Sequence, residues 1–178
     1  MIVVDVNVLA SLLTPGKYTK AAERQLEEDS VWVVPRLWCS ELRNVPANYL
    51  RAGQMDLTDA SVVFQKAEEL VCAEEYEVET PHVLRLCAES KCSAYDCEYI
   101  ALAEFLNVKL VSNDEELAKA FPRCMTLLSD DKCQDQWREN TVVLLISPAP
   151  EFCILMLCAS NCRKQLSYNS FQWINFKP

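Results

Sequence analysis

From residue 2 to about residue 128, short apolar runs rich in β-branched residues alternate with longer segments of helical spacing. Such a chain has few ways to fold. Parallel strands need long crossover connections, helices supply them, and both faces of the sheet end up covered. The fold class expected is therefore α/β with a central parallel sheet. The spacing predicts strands at 2–9, at VWVV (31–34), at an extended YEVE (76–79), at KLVS (109–112) and from Cys124 to Leu128. It predicts helices over 16–29, from Pro35 to about Tyr49 with Pro46 disturbing the run, over 59–73, 81–89 and 114–121. Asp56-Leu57-Thr58-Asp59 offers a cap for the third of these, and Ser93 opens a further helix to about Leu106 with the most amphipathic pattern in the chain.

With 178 residues, one compact domain with one site is the economical expectation. The alternation stops near residue 128. Residues 129–178 begin with a polar stretch, SDDKCQDQWREN, continue with an apolar TVVLLIS, pass Pro148-Ala149-Pro150 and reach FCILMLCASNC. Pro148, Pro150 and Glu151 separate the two apolar runs, so a spanning helix of roughly 20 continuous apolar residues is not expected. This extension is set apart from domain 1–128 and left unassigned. The opening MIVVDVNV has no basic leading segment and no long apolar stretch before a small-residue cleavage site, so a cytoplasmic protein without a membrane segment is expected.

Composition removes several kinds of chemistry. Two glycines leave no material for a glycine-rich phosphate loop. The single histidine, His82, provides no His pair for zinc and no comfortable Ser-His-Asp triad. Ten cysteines include no C-x-x-C pair; Cys158-x-x-x-Cys162 comes nearest, and Cys72, Cys87 and Cys97 fall in helix-like segments where a thiol acts as a small hydrophobe. The net charge of -9 argues against a protein that holds nucleic acid mainly by a basic surface. All of that negative excess lies in residues 1–128, with 12 Lys and Arg against 21 Asp and Glu. Any chemistry must rest on carboxylates.

Asp5 interrupts the apolar run IVVDV. A charged, unpaired carboxylate there would cost several kcal/mol, so a cation or hydrogen-bond donors must accompany it. On a strand, Asn7 would point to the same side, near the carboxyl end where open α/β sheets keep their sites. Other acids have ordinary readings of their own. Glu41 suits a solvated helix face; Asp96, in Ser93-Ala94-Tyr95-Asp96, completes a capping box; Asp114, after Ser112-Asn113, suits an N-cap. Together, strand ends and helix N-termini at one sheet edge can gather all four. Such a cluster repels itself and needs a divalent cation to stay ionised, and an all-oxygen set favours Mg²⁺ or Mn²⁺ over zinc. Phosphate-backbone hydrolysis is the reaction that fits.

Three segments, VVDVNVLASLL, LWCSELRNV and SAYDCEYIALAEFLNVKLVSNDEELAKAF, resemble the PIN domain, and within it the VapC-like toxins of bacterial and archaeal toxin–antitoxin pairs. The resemblance spans roughly the first 128 residues, and the Ser-x-Tyr-Asp…Ala-Leu-Ala-Glu run is its most specific part. It implies a PIN-like three-layer α/β/α fold and an endoribonuclease that uses Mg²⁺ (or Mn²⁺). The implied catalytic and metal-binding residues are Asp5, Glu41, Asp96 and Asp114, supported by hydrogen bonds from Asn7 and Ser112. It further implies an RNA substrate, a homodimer and a small antitoxin partner. Val6 stands where the family often has a hydroxyl residue, Ser112 stands where Thr is frequent, and residues 129–178 match nothing in the family. Arg36, Arg43 and Arg51, near Glu41 in sequence, are candidate phosphate contacts. Two other readings compete. One is a carboxylate-metal phosphatase using an aspartyl phosphate, weakened by Asn at position 7; the other is a non-catalytic PIN-fold interaction module.

Overall fold

The computed structural model describes residues 1–71 and 75–129. Cys72 and residues 130–178, with the TVVLLIS run and the Cys158 and Cys162 pair, lie outside the described residues, and so does almost all of the extension set apart at 129–178.

Five parallel strands form the sheet: β1 (Ile2–Val4), β2 (Trp32–Pro35), β3 (Glu75–Tyr76), β4 (Leu110–Ser112) and β5 (Met125–Leu127). Their spatial order is β3-β2-β1-β4-β5. Val3 sits in register with Val33 on one side and Leu110 on the other. The helices are α1 (Val6–Leu13), α2 (Thr19–Glu28), α3 (Trp38–Leu42), α4 (Asn44–Arg51), α5 (Leu57–Val71), α6 (Thr80–Glu89), α7 (Ala94–Leu106) and α8 (Glu115–Ala120). Alternate strand residues face opposite sides. Val3, Val33 and Leu110 join Ile100, Leu102 and Leu86 of α7 and α6 in one core cluster. On other contacts, α1 packs against β4 and α5 against β2, which gives the three-layer α/β/α arrangement.

Three expectations need correction. The first strand ends at Val4 rather than at residue 9, because Asp5 is the N-cap of α1: its backbone is extended and its side chain accepts from Asn7 N–H. Buried Val8, Leu9, Leu12 and Leu13 then recur with helical spacing. Pro35 closes β2 instead of opening a helix, and the long helix expected to reach Tyr49 is two helices that part at Arg43. Pro46 explains the break, since its ring would meet the carbonyl of Leu42 four residues earlier in a continuous helix. Finally, α7 is not the most amphipathic of the helices. Cys97, Tyr99, Ile100, Ala101, Leu102 and Ala103 are all buried, so most of its circumference is core.

Local chemistry sets the ends of α7. Ser93 Oγ accepts from Asp96 N–H at 3.2 Å, and Asp96 Oδ2 accepts from Ser93 N–H at 3.2 Å and from Ser93 Oγ at 2.7 Å. Asn107 terminates the helix in the left-handed region, with φ 53°. Ser93→Ala is expected to lower unfolding stability by about 0.5–2 kcal/mol. Urea titration measures this, and an unchanged midpoint would show that the cap contributes nothing. Among the described residues, no helix is long and apolar enough to cross a membrane.

Candidate active site

The strand order reverses direction between β1 and β4, and ligands of open α/β sheets sit beyond the carboxyl ends of the strands at such a switch point. Asp5 follows the last residue of β1, and Ser112 is the last residue of β4. Ser112 Oγ donates to Asp5 Oδ2 at 2.5 Å and accepts from Asp114 N–H at 3.1 Å. One hydroxyl thus ties together acids 109 positions apart in sequence. Asn7 stands in the first turn of α1 rather than on a strand, and reaches Asp5 by another route than the one expected. Its backbone N–H donates to Oδ1 at 3.3 Å and its side-chain amide to Oδ2 at 3.2 Å.

Asp5 is only 8% exposed, and burial holds its carboxyl above the ordinary carboxylate range. The bonds from Ser112 and Asn7 pull it back, and the nearby Asp96 charge pushes it up again. Glu41, on α3, is also raised, first by burial and then by the charges of Asp5, Asp96 and Glu98, against a lowering hydrogen bond from Tyr99. Asp5, Glu41 and Asp96 therefore sense one another electrostatically. Asp114 is set to one side of that trio. It is joined to Asp5 through Ser112 and shares with Asp96 the wall of a cavity of about 490 Å³, which Ser93, Glu116, Lys91 and Lys119 also line.

The capping roles read from sequence are present, and each occupies one oxygen. Asp114 Oδ1 accepts from Glu116 and Leu117 N–H at 2.8 and 3.0 Å, while Asp96 uses Oδ2 for Ser93. Glu41 engages Oε2 with Tyr99. Each of these three carboxylates keeps a second oxygen for which no hydrogen bond is found among the described residues, whereas both oxygens of Asp5 accept, Oδ1 from Asn7 and Oδ2 from Asn7 and Ser112. None of the four takes part in an ion pair found among those residues. As placed, no three His, Cys, Asp or Glu side chains among the described residues converge tightly enough to hold a metal ion. The donor chemistry nevertheless fits a hard divalent cation: the oxygens are anionic, unpaired with Lys or Arg, and mutually repulsive without a positive charge between them.

The arginines proposed from sequence have other engagements. Arg36 pairs with Glu75 at 3.4 Å and Glu77 at 3.9 Å, and Arg51 donates to Asn48 at 2.8 Å. The Arg43 guanidinium lies 5.3 Å from the ring centroid of Phe64. Sequence reasoning passed over Tyr99, Glu98, Lys91 and Lys119. Tyr99 had a visible signal, since it follows Asp96 by three positions and so shares its helix face. The lysines had none, because only the packing of α6, α7 and α8 brings them to one cavity. Cys39, Cys87, Cys92, Cys97 and Cys124 are unbridged. Burial pushes the Cys97 thiol up to about 12, which leaves it an inert core residue rather than a nucleophile.

Comparison with known proteins agrees with this architecture. Ribonuclease VapC3 of Pyrobaculum aerophilum is 27% identical over 128 residues, an alignment covering 70% of this chain and 98% of the relative. The crystal structure of PAE2754 from the same organism shares the fold with a TM-score of 0.57 at 22% identity, over 70% of this chain and 81% of the other. FitAcB from Neisseria gonorrhoeae follows at 0.54 and 16% identity, over 70% and 96%. The PIN domain family matches residues 2–121, and with a five-stranded parallel sheet of order β3-β2-β1-β4-β5 this chain belongs to that family.

Proposed function

We propose that this chain is a metal-dependent endoribonuclease, the toxin of a toxin–antitoxin pair, with Asp5, Glu41, Asp96 and Asp114 as its catalytic and metal-binding acids. The observation that carries this reading is the electrostatic crowding of Asp5, Glu41 and Asp96 at the sheet switch point, with no Lys or Arg among the described residues paired to any of them. Likeness to a protein named as a ribonuclease supports it.

Asp5 and Asp96 are the principal metal ligands in this proposal. Ser112 and Asn7 hold the Asp5 carboxylate in one orientation, and the Ser93 cap does the same for Asp96. Glu41 and Asp114 complete the set and orient the attacking water through the oxygens not engaged by Tyr99 and by the α8 cap. When bound, Mg²⁺ or Mn²⁺ supplies positive charge and Lewis acidity to the phosphodiester and to that water. Arg43, and separately the cavity-lining Lys91 and Lys119, are proposed to meet RNA phosphates. A small antitoxin protein and a second copy of the chain are the proposed partners, and the cytoplasm is the proposed compartment.

Incubation of the full chain with a mixed small-RNA pool and Mg²⁺ or Mn²⁺ tests this, with EDTA and Asp96→Asn as controls. Discrete fragments that vanish in both controls are expected; Asn keeps an acceptor for the cap but loses the anionic ligand. Metal binding without turnover of any RNA, together with a stable protein partner, would replace the nuclease by a non-catalytic interaction module.

A further inference from the structure

Tyr99 is 2% exposed, and its ring is part of the core beneath the sheet. A hydroxyl in that position costs free energy unless it is bonded, and Phe would fill the space without that cost. The hydroxyl donates to Glu41 Oε2 at 2.7 Å and faces the backbone N–H of Val6. Val6 is the first residue of α1, so its N–H has no partner within the helix. One phenol oxygen therefore meets three elements at the same point: α7, which carries Asp96; α3, which carries Glu41; and the start of α1, adjoining Asp5. Glu41 sits on a five-residue helix followed by a break at Arg43. The ring of Tyr99, by contrast, is clamped in the core.

We propose that Tyr99 is the positioning residue for Glu41, its hydroxyl fixing the Glu41 carboxylate against Asp5 and Asp96 so that the remaining Glu41 oxygen faces the metal. This rests on the proposed reading of the four acids as a metal site. The phenol touches neither metal nor substrate; it acts through a charge-assisted O–H···O bond whose donor cannot rotate away.

The experiment follows Mn²⁺ binding to the full chain by electron paramagnetic resonance, beside Mn²⁺-dependent RNA cleavage and thermal unfolding, for wild type, Tyr99→Phe, Glu41→Ala and the double variant. Tyr99→Phe is expected to weaken Mn²⁺ binding by about tenfold to a hundredfold, the usual consequence of losing a partner that orients a ligand. Its kcat should fall while KM for RNA holds. In the Glu41→Ala background the same change should weaken binding by less than about twofold, because the interaction it removes is already gone. A merely structural tyrosine would cause the same loss in both backgrounds, and that result overturns the proposal. So does a Tyr99→Phe variant that binds Mn²⁺ and cleaves like wild type. A wild-type chain that neither binds Mn²⁺ nor cleaves RNA overturns the metal-site reading itself, and the role of Tyr99 with it; that failure shows in the unmodified protein and is distinct from the others.

Discussion

Asp5→Asn is expected to reduce RNA cleavage by at least about a hundredfold while making the metal-free protein more stable near neutral pH. The activity estimate takes the upper end of the roughly tenfold to hundredfold loss caused by removing a partner of a ligand as a floor for removing the ligand's own charge. The stability gain follows from burial. Asp5 is held above its ordinary value of 3.8, chiefly by desolvation, so the folded state binds its proton more tightly than the unfolded chain. A group raised in this way contributes stability fully below 3.8 and loses it as pH climbs through the folded value. Glu41, raised from 4.5, acts in the same sense. Metal-free wild type should therefore unfold more easily at pH 8 than at pH 5, and Mg²⁺ should restore stability at pH 8 by binding only the folded form. Asn retains the N-cap acceptor for Asn7 N–H, and reorientation of the Ser112 hydroxyl and the Asn7 amide accommodates its new donor. The gain should be about 0.5–2 kcal/mol, the range common for single stabilising substitutions. Urea midpoints at pH 5 and pH 8, in EDTA and in Mg²⁺, decide the matter. A variant that is less stable than wild type at pH 8 in EDTA, or one that still cleaves, would sink this account of Asp5.

Ile100→Ala is expected to lower unfolding stability by about 2–5 kcal/mol. Ile100 is fully buried in the cluster that joins α6 and α7 to β1, β2 and β4. Removing three carbons there loses transfer free energy and leaves a cavity that β-sheet and helix neighbours, rigid on every side, fill poorly. The consequence reaches the site, since the same helix carries Asp96 on its first turn and Tyr99 on its second. Denaturant unfolding followed by circular dichroism measures the effect. A loss below about 1 kcal/mol would mean that α7 packs far less tightly than its burial implies.

Much of the scaffold was legible because it depends on residues a few positions apart. Ser93 and Asp96 form their capping box within a single turn; Asp56 accepts from Asp59 N–H at 2.9 Å; Asp114 caps α8. The five strands were placed near their observed positions because apolar β-branched runs between helical segments have little else to become. The errors arose where two local rules met. At residues 5–9 a β-branched run competed with an N-cap, and the cap prevailed because Asp5 satisfies an exposed helix N–H that an unbroken strand would not present. At 35–49 Pro35 closes a strand where a helix start was expected, and Pro46, read as disturbing one helix, in fact divides it into two. In α7 the pattern suggested the most amphipathic helix, whereas contacts with three strands and α6 bury residues around most of its circumference.

The sequence by itself determined the alternating α/β organisation, the capping chemistry of Asp96 and Asp114, and an excess of carboxylates without histidines to share the chemistry. Only the tertiary structure decided that β4 lies beside β1, which puts Ser112 on Asp5, and that α3 meets α7, which puts Tyr99 on Glu41. Caps and periodicities are energies of neighbours along the chain. The pairings of residues 5 with 112 and 41 with 99 depend on strand order and helix packing, which are settled by burial of the whole apolar surface at once, so no short stretch of sequence encodes them.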